Sequence, residues 1–283
     1  MEGKTCVVTG ANSGIGRITA HALAEQGARV VLLCRNEARG TEARDSIREE
    51  TGNEAVELVL GDLADQASTR QAAEEVLERC PRIDVLVNNA GAYFGDLALT
   101  NDGLERTFAL NHMGYFLLTE LLRERLIASA PARVVNVASA AHRGGFIDFE
   151  DLQWVRRPYA GLRAYCDSKL MNILFTKELA TRLDGSGVTA NCVHPGAIRT
   201  GFAVGESSWF GALVRLGGFV LISPEKGALT SIYLASSPDV EEITGQYFIR
   251  KKVRRPSAKA RSSELAAQLW GVSESLVKPV ASL

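Results

Sequence analysis

A tyrosine and a lysine stand four residues apart in the stretch YCDSK, at Tyr165 and Lys169, directly before the apolar run LMNILFTKELATRL. Residues at this spacing share one face of a helix. A free phenol has a pKa near about 10, and a neighbouring ammonium lowers that pKa by favouring the phenolate. The pair therefore suits a general acid/base, Tyr165, that is activated by Lys169 and moves the proton of an alcohol group. The alternative is a helix that begins with a surface lysine.

A glycine-rich turn, TGANSGIG at residues 9–16, lies between an apolar run and a segment with helical periodicity. Glycine lets the backbone approach a phosphate, and the helix that follows directs its N–H groups and the positive end of its dipole there. Such a turn alone is weak support, but its position inside a strand–helix–strand unit strengthens the prediction of a dinucleotide site. The candidate residues are Gly10, Asn12, Ser13, Gly14, Ile15, Gly16 and Arg17.

Seven runs rich in Val, Leu and Ile predict the strands that must position these residues. The runs are Thr5–Thr9, Arg29–Cys34, Ala55–Leu60, Ile83–Asn88, Arg133–Ala138, Val188–His194 and Gln246–Ile249. They are mostly not alternating, as expected for parallel strands that are buried on both faces, and segments of helical period separate them. This order predicts one α/β domain over residues 1–283. We expect this domain to be a Rossmann-type, doubly wound parallel sheet of about seven strands with helices on both faces. A C-terminal helix is predicted at about 262–277.

Two long connections leave the carboxyl ends of the predicted strands, at residues 140–161 and at about 201–223. Ligands bind beyond those ends in an open parallel sheet, and long connections are often binding loops. The second connection is apolar, so we expect a lid over a hydrophobic substrate; a helix packed on the core is the alternative. Its run 209–222 is too short to span a bilayer and contains Arg215, but surface contact with a membrane stays open.

Composition narrows the function classes. The net charge is −1, which favours neither nucleic acid nor an anionic membrane as a partner. The five cysteines are scattered and form no Cys-x-x-Cys pair, and the four histidines lack metal-ligand spacing, so we expect no disulfide framework and no metal site. The chain enters its first strand at once, without an apolar targeting segment. These features predict a cytoplasmic location.

The glycine spacing is Gly-x-x-x-Gly-x-Gly, and further motifs follow it in order. They are GDL at 61–63, NNAG at 88–91, NHMGYF beginning at Asn111, NVAS ending at Ser139, Tyr165 with Lys169, and HPGAIRT at 194–200. In this combination, from residue 9 to about 250, the chain resembles the short-chain dehydrogenase/reductase family. The stretches YCDSKLMNILFTKELATRL and LAAQLWGVSESLV resemble the retinol dehydrogenase-like branch of that family.

The resemblance implies a role for each motif residue. Asp62 and Leu63 would flank an adenine, and Asn88, Ala90 and Gly91 would line the adenosine side. Pro195, Gly196, Ile198 and Thr200 would hold the nicotinamide and its phosphate, and Lys169 would also hold the nicotinamide ribose. Ser139 would hydrogen-bond the substrate oxygen and stabilise developing charge. Asn111 would anchor a water that relays the proton to solvent.

The end of the second predicted strand bears on the choice of cofactor. An acidic residue there would select NAD, whereas this chain has Arg35, whose guanidinium suits a 2′-phosphate. Arg17 could add a second cation, and Glu37 lies close enough to leave NAD(H) open. We therefore favour NADP(H). Members of the resembled branch typically use NADP(H) on hydrophobic alcohols and aldehydes, which predicts a carbonyl reductase for apolar substrates.

Two alternative functions and the oligomeric state remain open. The same fold serves as a catalytically silent dinucleotide sensor or scaffold, but this chain keeps Asn111, Ser139, Tyr165 and Lys169, which favours an enzyme. The basic run IRKKVRRPSAKAR, residues 249–261, could bind nucleic acid or acidic lipid, although a solvated loop before the final helix is the better interpretation. The resemblance also suggests a homo-dimer or tetramer, and the sequence does not fix which.

Overall fold

One sheet of eight strands, in the order β3-β2-β1-β4-β5-β6-β7-β8, forms the centre of the part of the chain that the structure describes. The structure is a computed structural model, and it describes residues 1–196 and 222–277. The strands are β1 (Thr5–Thr9), β2 (Arg29–Cys34), β3 (Val56–Leu60), β4 (Val85–Asn88), β5 (Ala132–Val137), β6 (Val188–His194), β7 (Tyr247–Ile249) and β8 (Lys252–Val253). Strands β1 to β7 are parallel, so the predicted doubly wound sheet is confirmed.

The eighth strand corrects one part of the sequence prediction. Lys252–Val253 lies in the basic run that was interpreted as a solvated loop, and it pairs antiparallel with β7. The turn between the two strands places Arg250 and Lys251 at φ angles of 51° and 62°. Positive φ is uncommon for residues other than glycine, but a two-residue hairpin requires it. The first part of the basic run is therefore an ordered hairpin at the edge of the sheet.

Alternate residues of the central strands pack on opposite faces of the sheet. In β1, Val7 joins one hydrophobic cluster, whereas Cys6 and Val8 join the other. All five residues of β1 are buried, as expected for a parallel strand that helices cover on both sides.

Eight α-helices flank the sheet within residues 1–196 and 222–277. They are α1 (Gly14–Glu25), α2 (Glu37–Thr51), α3 (Gln66–Arg79), α4 (Arg106–Phe108), α5 (Gly114–Ala128), α6 (Gly161–Arg182), α7 (Pro224–Ser236) and α8 (Ser263–Leu276). A π-helical turn, Ala109–Met113, joins α4 to α5. Helices α1, α2 and α7 contribute to one core cluster, and α3, α5, α6 and α8 to the other. None of these helices is long and apolar enough to cross a bilayer.

The last helix packs on the face that α5 and α6 form. The ring of Trp270, which is buried, lies 5.0 Å from the ring of Phe116 and 5.8 Å from that of Phe175, measured between centroids. Ser273 Oγ is 2.9 Å from Nε2 of the buried His112. These contacts pack α8 against α6, the helix on which Tyr165 and Lys169 lie.

The structure describes the first of the two long connections and only the end of the second. The connection after β5 begins with a 3-10 turn, Ala140–Gly144, and is ordered by the buried carboxylate of Asp151, which accepts a hydrogen bond from Val155 N at 2.7 Å. The lid predicted at 201–223 lies outside the described residues except for its last two positions.

Candidate active site

The carboxyl ends of β1, β4, β5 and β6 lie side by side in the middle of the sheet. Each is followed at once by a predicted site segment: Gly10 follows β1, Ala90 and Gly91 follow β4, Ser139 follows β5, and Pro195 follows β6. Strand order reverses between β1 and β4, and a crevice at such a point is where open parallel sheets bind ligands. The fold thus brings motifs from distant parts of the chain to one edge.

The glycine turn after β1 is packed too closely for side chains. Gly10 has a φ of 64°, and a Cβ there would lie 2.9 Å from the Cα of Ala90. A Cβ on Gly16 would overlap the carbonyl oxygen of Gly10 and the side chain of Asn89. Glycine at these two positions lets the first turn of α1 lie directly against the end of β4.

Asn89 holds this turn in place, and the sequence analysis did not single it out. Its Nδ2 donates to the Thr9 carbonyl at 2.8 Å, and its backbone N–H donates to Thr9 Oγ1 at 2.9 Å. Ala90 N donates to the same hydroxyl at 2.9 Å. Asn89 is the second asparagine of NNAG, so the motif itself was the signal for a residue that ties β4 to the glycine turn.

The N-terminus of α1 is open to an anion. Ser13 precedes the helix in an extended conformation, and its side chain caps no N–H group of the helix among the described residues. The first turn carries no acidic residue. Unpaired N–H groups and the helix dipole together favour a phosphate at this point. The uncapped helix and the glycines of the turn therefore fit the pyrophosphate of a dinucleotide.

The two candidate arginines have different surroundings. Arg17 Nη2 donates to Ser46 Oγ at 2.7 Å and to Glu50 Oε1 at 3.2 Å, so its guanidinium lies against α2. Arg35 follows β2, its side chain is 70% exposed, and its Nη1 is 3.5 Å from Asp62 Oδ2. An ion pair this exposed contributes little to stability, so the Arg35 guanidinium can turn towards a phosphate at small cost.

The side chains of the motif after β3 and of Asn88 in β4 make contacts within the protein. Asp62 Oδ1 accepts a hydrogen bond from Ala64 N at 3.0 Å, while the side chain of Leu63 is buried in the core. Asn88 is fully buried, and its Nδ2 donates to Thr119 Oγ1 at 2.9 Å and to Asn136 Oδ1 at 2.8 Å. Leu63 and Asn88 can therefore face a ligand only with their backbone atoms.

Ser139 and Tyr165 meet at the edge of the sheet. Ser139 begins the 3-10 turn after β5, and its Oγ accepts a hydrogen bond from Ala141 N at 3.2 Å. The same hydroxyl is hydrogen-bonded to the phenol of Tyr165. The Tyr165 ring is half-buried and packs edge-on against Tyr93, with the centroids 6.4 Å apart. The two groups can hence bind one substrate oxygen between them.

Lys169 lies behind this pair. Its side chain is 3% exposed, and its Nζ donates to the Val137 carbonyl at 3.1 Å. Nζ is 5.7 Å from the centroid of the Tyr165 ring and 5.8 Å from that of the Tyr115 ring. Burial lowers the pKa of the Lys169 ammonium to about 7.

Burial affects the pKa of Tyr165 in the protein without a bound dinucleotide. Burial raises the pKa of the phenol to about 12, and the hydrogen bond from Ser139 opposes that rise only in part. The sequence-based mechanism relies on Lys169 together with the positive ring of a bound nicotinamide to lower the pKa of Tyr165, and it stays a prediction. Lys169 is buried as well, and burial disfavours its own charge near neutral pH.

Asn111 lies in the π-helical turn and is fully buried. Its Nδ2 donates to the Ala92 carbonyl at 2.9 Å and to Ser168 Oγ at 3.0 Å, and its Oδ1 accepts from Ala92 N at 2.9 Å. A Cβ on Gly91 would lie 3.1 Å from that Oδ1. The side chain thus ties the segment after β4 to α6. A water relay at Asn111 stays a prediction, and backbone carbonyls displaced by the π-helical turn are where such a water could bind.

The end of β6 completes the described part of the site. Gly196 has a φ of 105°, which only glycine adopts readily, and its N–H donates to His194 Nδ1 at 3.4 Å. Pro195 is half-buried beside it. Ile198 and Thr200, which were predicted to hold the nicotinamide end, lie outside the described residues.

Comparisons with known proteins agree with this geometry. The profile of the short chain dehydrogenase family matches residues 4–210. Retinol dehydrogenase 13 from Homo sapiens is 45% identical over 282 residues, covering 98% of this chain and 85% of the relative. Retinol dehydrogenase 12 from Homo sapiens is 45% identical over 273 residues, covering 96% of this chain and 86% of the relative.

Solved structures are also similar to this chain in fold. The crystal structure of an uncharacterized protein from Mycobacterium Paratuberculosis is 36% identical with a TM-score of 0.81, covering 100% of this chain and 96% of that one. A short chain dehydrogenase from Shigella flexneri 2A, complexed with NADP, is 25% identical with a TM-score of 0.68, covering 89% of this chain and 98% of that one.

Proposed function

Since this chain belongs to the short-chain dehydrogenase/reductase family, in its retinol dehydrogenase-like branch, we propose that it interconverts a hydrophobic alcohol and its aldehyde or ketone with NADP(H). Proteins of this family are oxidoreductases that bind a nicotinamide dinucleotide. The observation that carries the proposal is the hydrogen bond between Ser139 and Tyr165 at the carboxyl edge of the sheet, with Lys169 directly behind it.

In this proposal the substrate oxygen binds between two hydroxyl groups. Ser139 stabilises negative charge that develops on this oxygen, and Tyr165 gives it a proton during reduction or takes one during oxidation. A bound nicotinamide dinucleotide would supply or accept the hydride. With a pKa of about 12 the phenol is protonated at neutral pH, which suits the acid in carbonyl reduction better than the base in alcohol oxidation.

The catalytically silent alternative is less well supported. A protein that only senses a dinucleotide needs the glycine turn and the open end of α1. It does not need a phenol hydrogen-bonded to a serine hydroxyl with a buried lysine 5.7 Å from the phenol ring, because burying an ammonium destabilises the folded chain. A destabilising group is most simply explained by catalysis.

The preference for NADP(H) rests on Arg35. Its exposed guanidinium lies at the end of β2, beside Asp62. A 2′-phosphate there would compensate for the loss of the weak ion pair between the two side chains. The neighbouring structure from Shigella flexneri that is described as complexed with NADP is consistent with this preference. NAD(H) remains the alternative because Glu37 lies two residues after Arg35 and could accept a hydrogen bond from a 2′-hydroxyl.

We expect Arg35→Ala to weaken NADPH binding by about ten- to a hundredfold, the effect of losing a charge-assisted hydrogen bond. NADH binding should hardly change, because NADH has no 2′-phosphate. Calorimetric titration of both nucleotides measures the two affinities. Arg44→Ala is the matched control, since Arg44 lies on α2 but pairs with Asp45. Equal effects of Arg35→Ala on both nucleotides would contradict the assignment.

The activity itself is tested by a screen of NADPH oxidation. The candidate substrates are aliphatic, aromatic and isoprenoid aldehydes, quinones and steroid ketones. We expect turnover of apolar aldehydes or ketones, at a higher kcat/KM with NADPH than with NADH. If the protein binds NADPH in titrations but oxidises it with no member of the panel, the silent alternative replaces the proposed function.

A further inference from the structure

The basic run that the proposed function does not use passes directly behind the catalytic serine. We define the C-terminal strap as residues 254–261, which follow β8. Three hydrogen bonds join it to the 3-10 turn after Ser139: from Ser257 N to His142 Nε2 (3.1 Å), from Arg143 Nη2 to the Arg255 carbonyl (3.3 Å) and from Lys259 Nζ to the Gly145 carbonyl (3.3 Å). The strap is therefore attached to the turn that carries a predicted catalytic group.

His142 is the fully buried member of these contacts. Its Nδ1 lies 2.7 Å from the carbonyl oxygen of Ser139, and its backbone N–H donates to the same oxygen at 3.2 Å. A backbone amide can only donate, so Nε2, which faces Ser257 N, must be the unprotonated nitrogen. Nδ1 then carries the hydrogen and donates it to Ser139. The contacts on both sides of the ring thus select one neutral tautomer.

The surroundings keep His142 neutral. Burial and the neighbouring Arg143 guanidinium lower the pKa of the imidazole. The other groups that face it are His194, whose pKa burial lowers to about 4, and the ring of Tyr247, with centroids 5.1 Å apart. None of these groups offers a negative charge to an imidazolium at neutral pH. The surroundings therefore favour the same neutral ring that the hydrogen bonds select.

We propose that His142 is a positioning residue for Ser139, fixed in its Nδ1–H tautomer by the strap residue Ser257. The inference rests on the proposed function, because it concerns how Ser139 is aimed at Tyr165. Two donors from His142 restrain the Ser139 carbonyl, and the serine hydroxyl accepts a hydrogen bond from Ala141 N beside the phenol. A serine held in this way is preorganised to receive the substrate oxygen.

Two variants of His142 each keep one hydrogen bond of the imidazole and remove the other. In His142→Asn the amide nitrogen takes the place of Nδ1 and can still donate to the Ser139 carbonyl. In His142→Gln the longer side chain can accept from Ser257 N but does not reproduce the Nδ1 contact. We expect kcat to fall about tenfold in the Gln variant and at most about threefold in the Asn variant, the scale of one lost hydrogen bond. KM for NADPH should not change in either.

A purely structural role predicts a different pattern. Equal losses of kcat in both variants, in step with equal losses of melting temperature, would overturn the positioning role. So would kcat values that match the unmodified protein in both variants. Arg261→Met is the matched control in the strap, because the Arg261 side chain makes no hydrogen bond or ion pair within the described residues. It should leave kcat unchanged.

Two measurements do not depend on activity. Nitrogen-15 NMR of the histidine rings should show one resonance pair typical of the Nδ1–H tautomer, which is lost in the His142 variants; an Nε2–H form overturns the inference. Trypsin should cleave after Arg254, a site that both variants keep, faster in Lys259→Met than in Arg261→Met, because only the first loses a contact with the turn. If the unmodified protein reduces no carbonyl compound, the proposed function fails, and the NMR result still decides whether the strap fixes the tautomer of His142.

Discussion

Replacing Tyr165 with phenylalanine should lower kcat for carbonyl reduction by about a hundred- to ten-thousandfold, the usual contribution of a positioned general acid. The change removes only the hydroxyl that is hydrogen-bonded to Ser139 and leaves the ring against Tyr93. NADPH affinity should therefore stay unchanged in a fluorescence titration. Single-turnover measurements of NADPH oxidation would separate the chemical step from product release.

The pH dependence tests the same group. Because burial raises the pKa of Tyr165 to about 12, the phenol should remain protonated through the neutral range. The rate of carbonyl reduction should then be flat from neutral to mildly alkaline pH, whereas alcohol oxidation should accelerate as the pH rises. Ser139→Ala is the control that keeps the phenol. A Tyr165→Phe enzyme with the kcat of the unmodified protein would remove Tyr165 from the mechanism.

Replacing Lys169 with methionine should have opposite effects on stability and on catalysis. Methionine has a similar length but no charge, so the folded chain no longer buries an ammonium. The Val137 carbonyl keeps a donor, because Asn172 Nδ2 also donates to it at 3.2 Å. We expect a higher melting temperature at neutral pH, together with a loss of kcat/KM of about a hundredfold or more.

The pH dependence of that stability difference has a defined sign. The pKa of Lys169 is lowered to about 7 in the folded chain and is about 10.4 when unfolded. Between these values the unfolded chain binds more protons, so the stability of the unmodified protein rises with pH. The advantage of Lys169→Met should be largest below pH 7 and should vanish as the pH approaches about 10.

Thermal unfolding of both proteins across this range provides the measurement. Lys177→Met serves as the control, since Lys177 lies on the same helix in a more exposed position. It should change neither the activity nor the pH dependence of the melting temperature. A Lys169→Met protein that is less stable than the unmodified chain at pH 6 would show that the ammonium is not a net cost to the fold.

The sequence was sufficient for the parts of the molecule that local pattern determines. Unbroken apolar runs predicted the parallel strands, because strands covered on both faces cannot alternate. Since parallel strands end at one edge, the motifs after Thr9, Asn88 and Val137 could be placed together without coordinates. Each of these predictions uses only neighbouring residues and one geometric rule.

The features that the sequence did not predict depend on contacts between distant residues. Asn89 holds the glycine turn through Thr9, 80 positions earlier in the chain. The guanidinium of Arg17 is taken up by α2, although its position after the glycine turn favoured a phosphate. The pKa values of Tyr165 and Lys169 depend on how deeply each side chain is buried, and the spacing of two residues carries no information about depth.

The buried pair of Asn88 and Asn136 also governs how the sheet assembles. The two residues are directly opposite partners in β4 and β5, and Asn136 Nδ2 continues the chain of polar contacts to Thr176 Oγ1 at 3.0 Å. A slip of β5 by one residue would turn Asn136 to the other face and leave two amides among apolar side chains without partners. The same slip would carry Ser139 one step along the edge, away from the phenol. The polar contacts of Asn88, Asn136 and Thr176 thus hold the register of the two strands from which the catalytic edge extends.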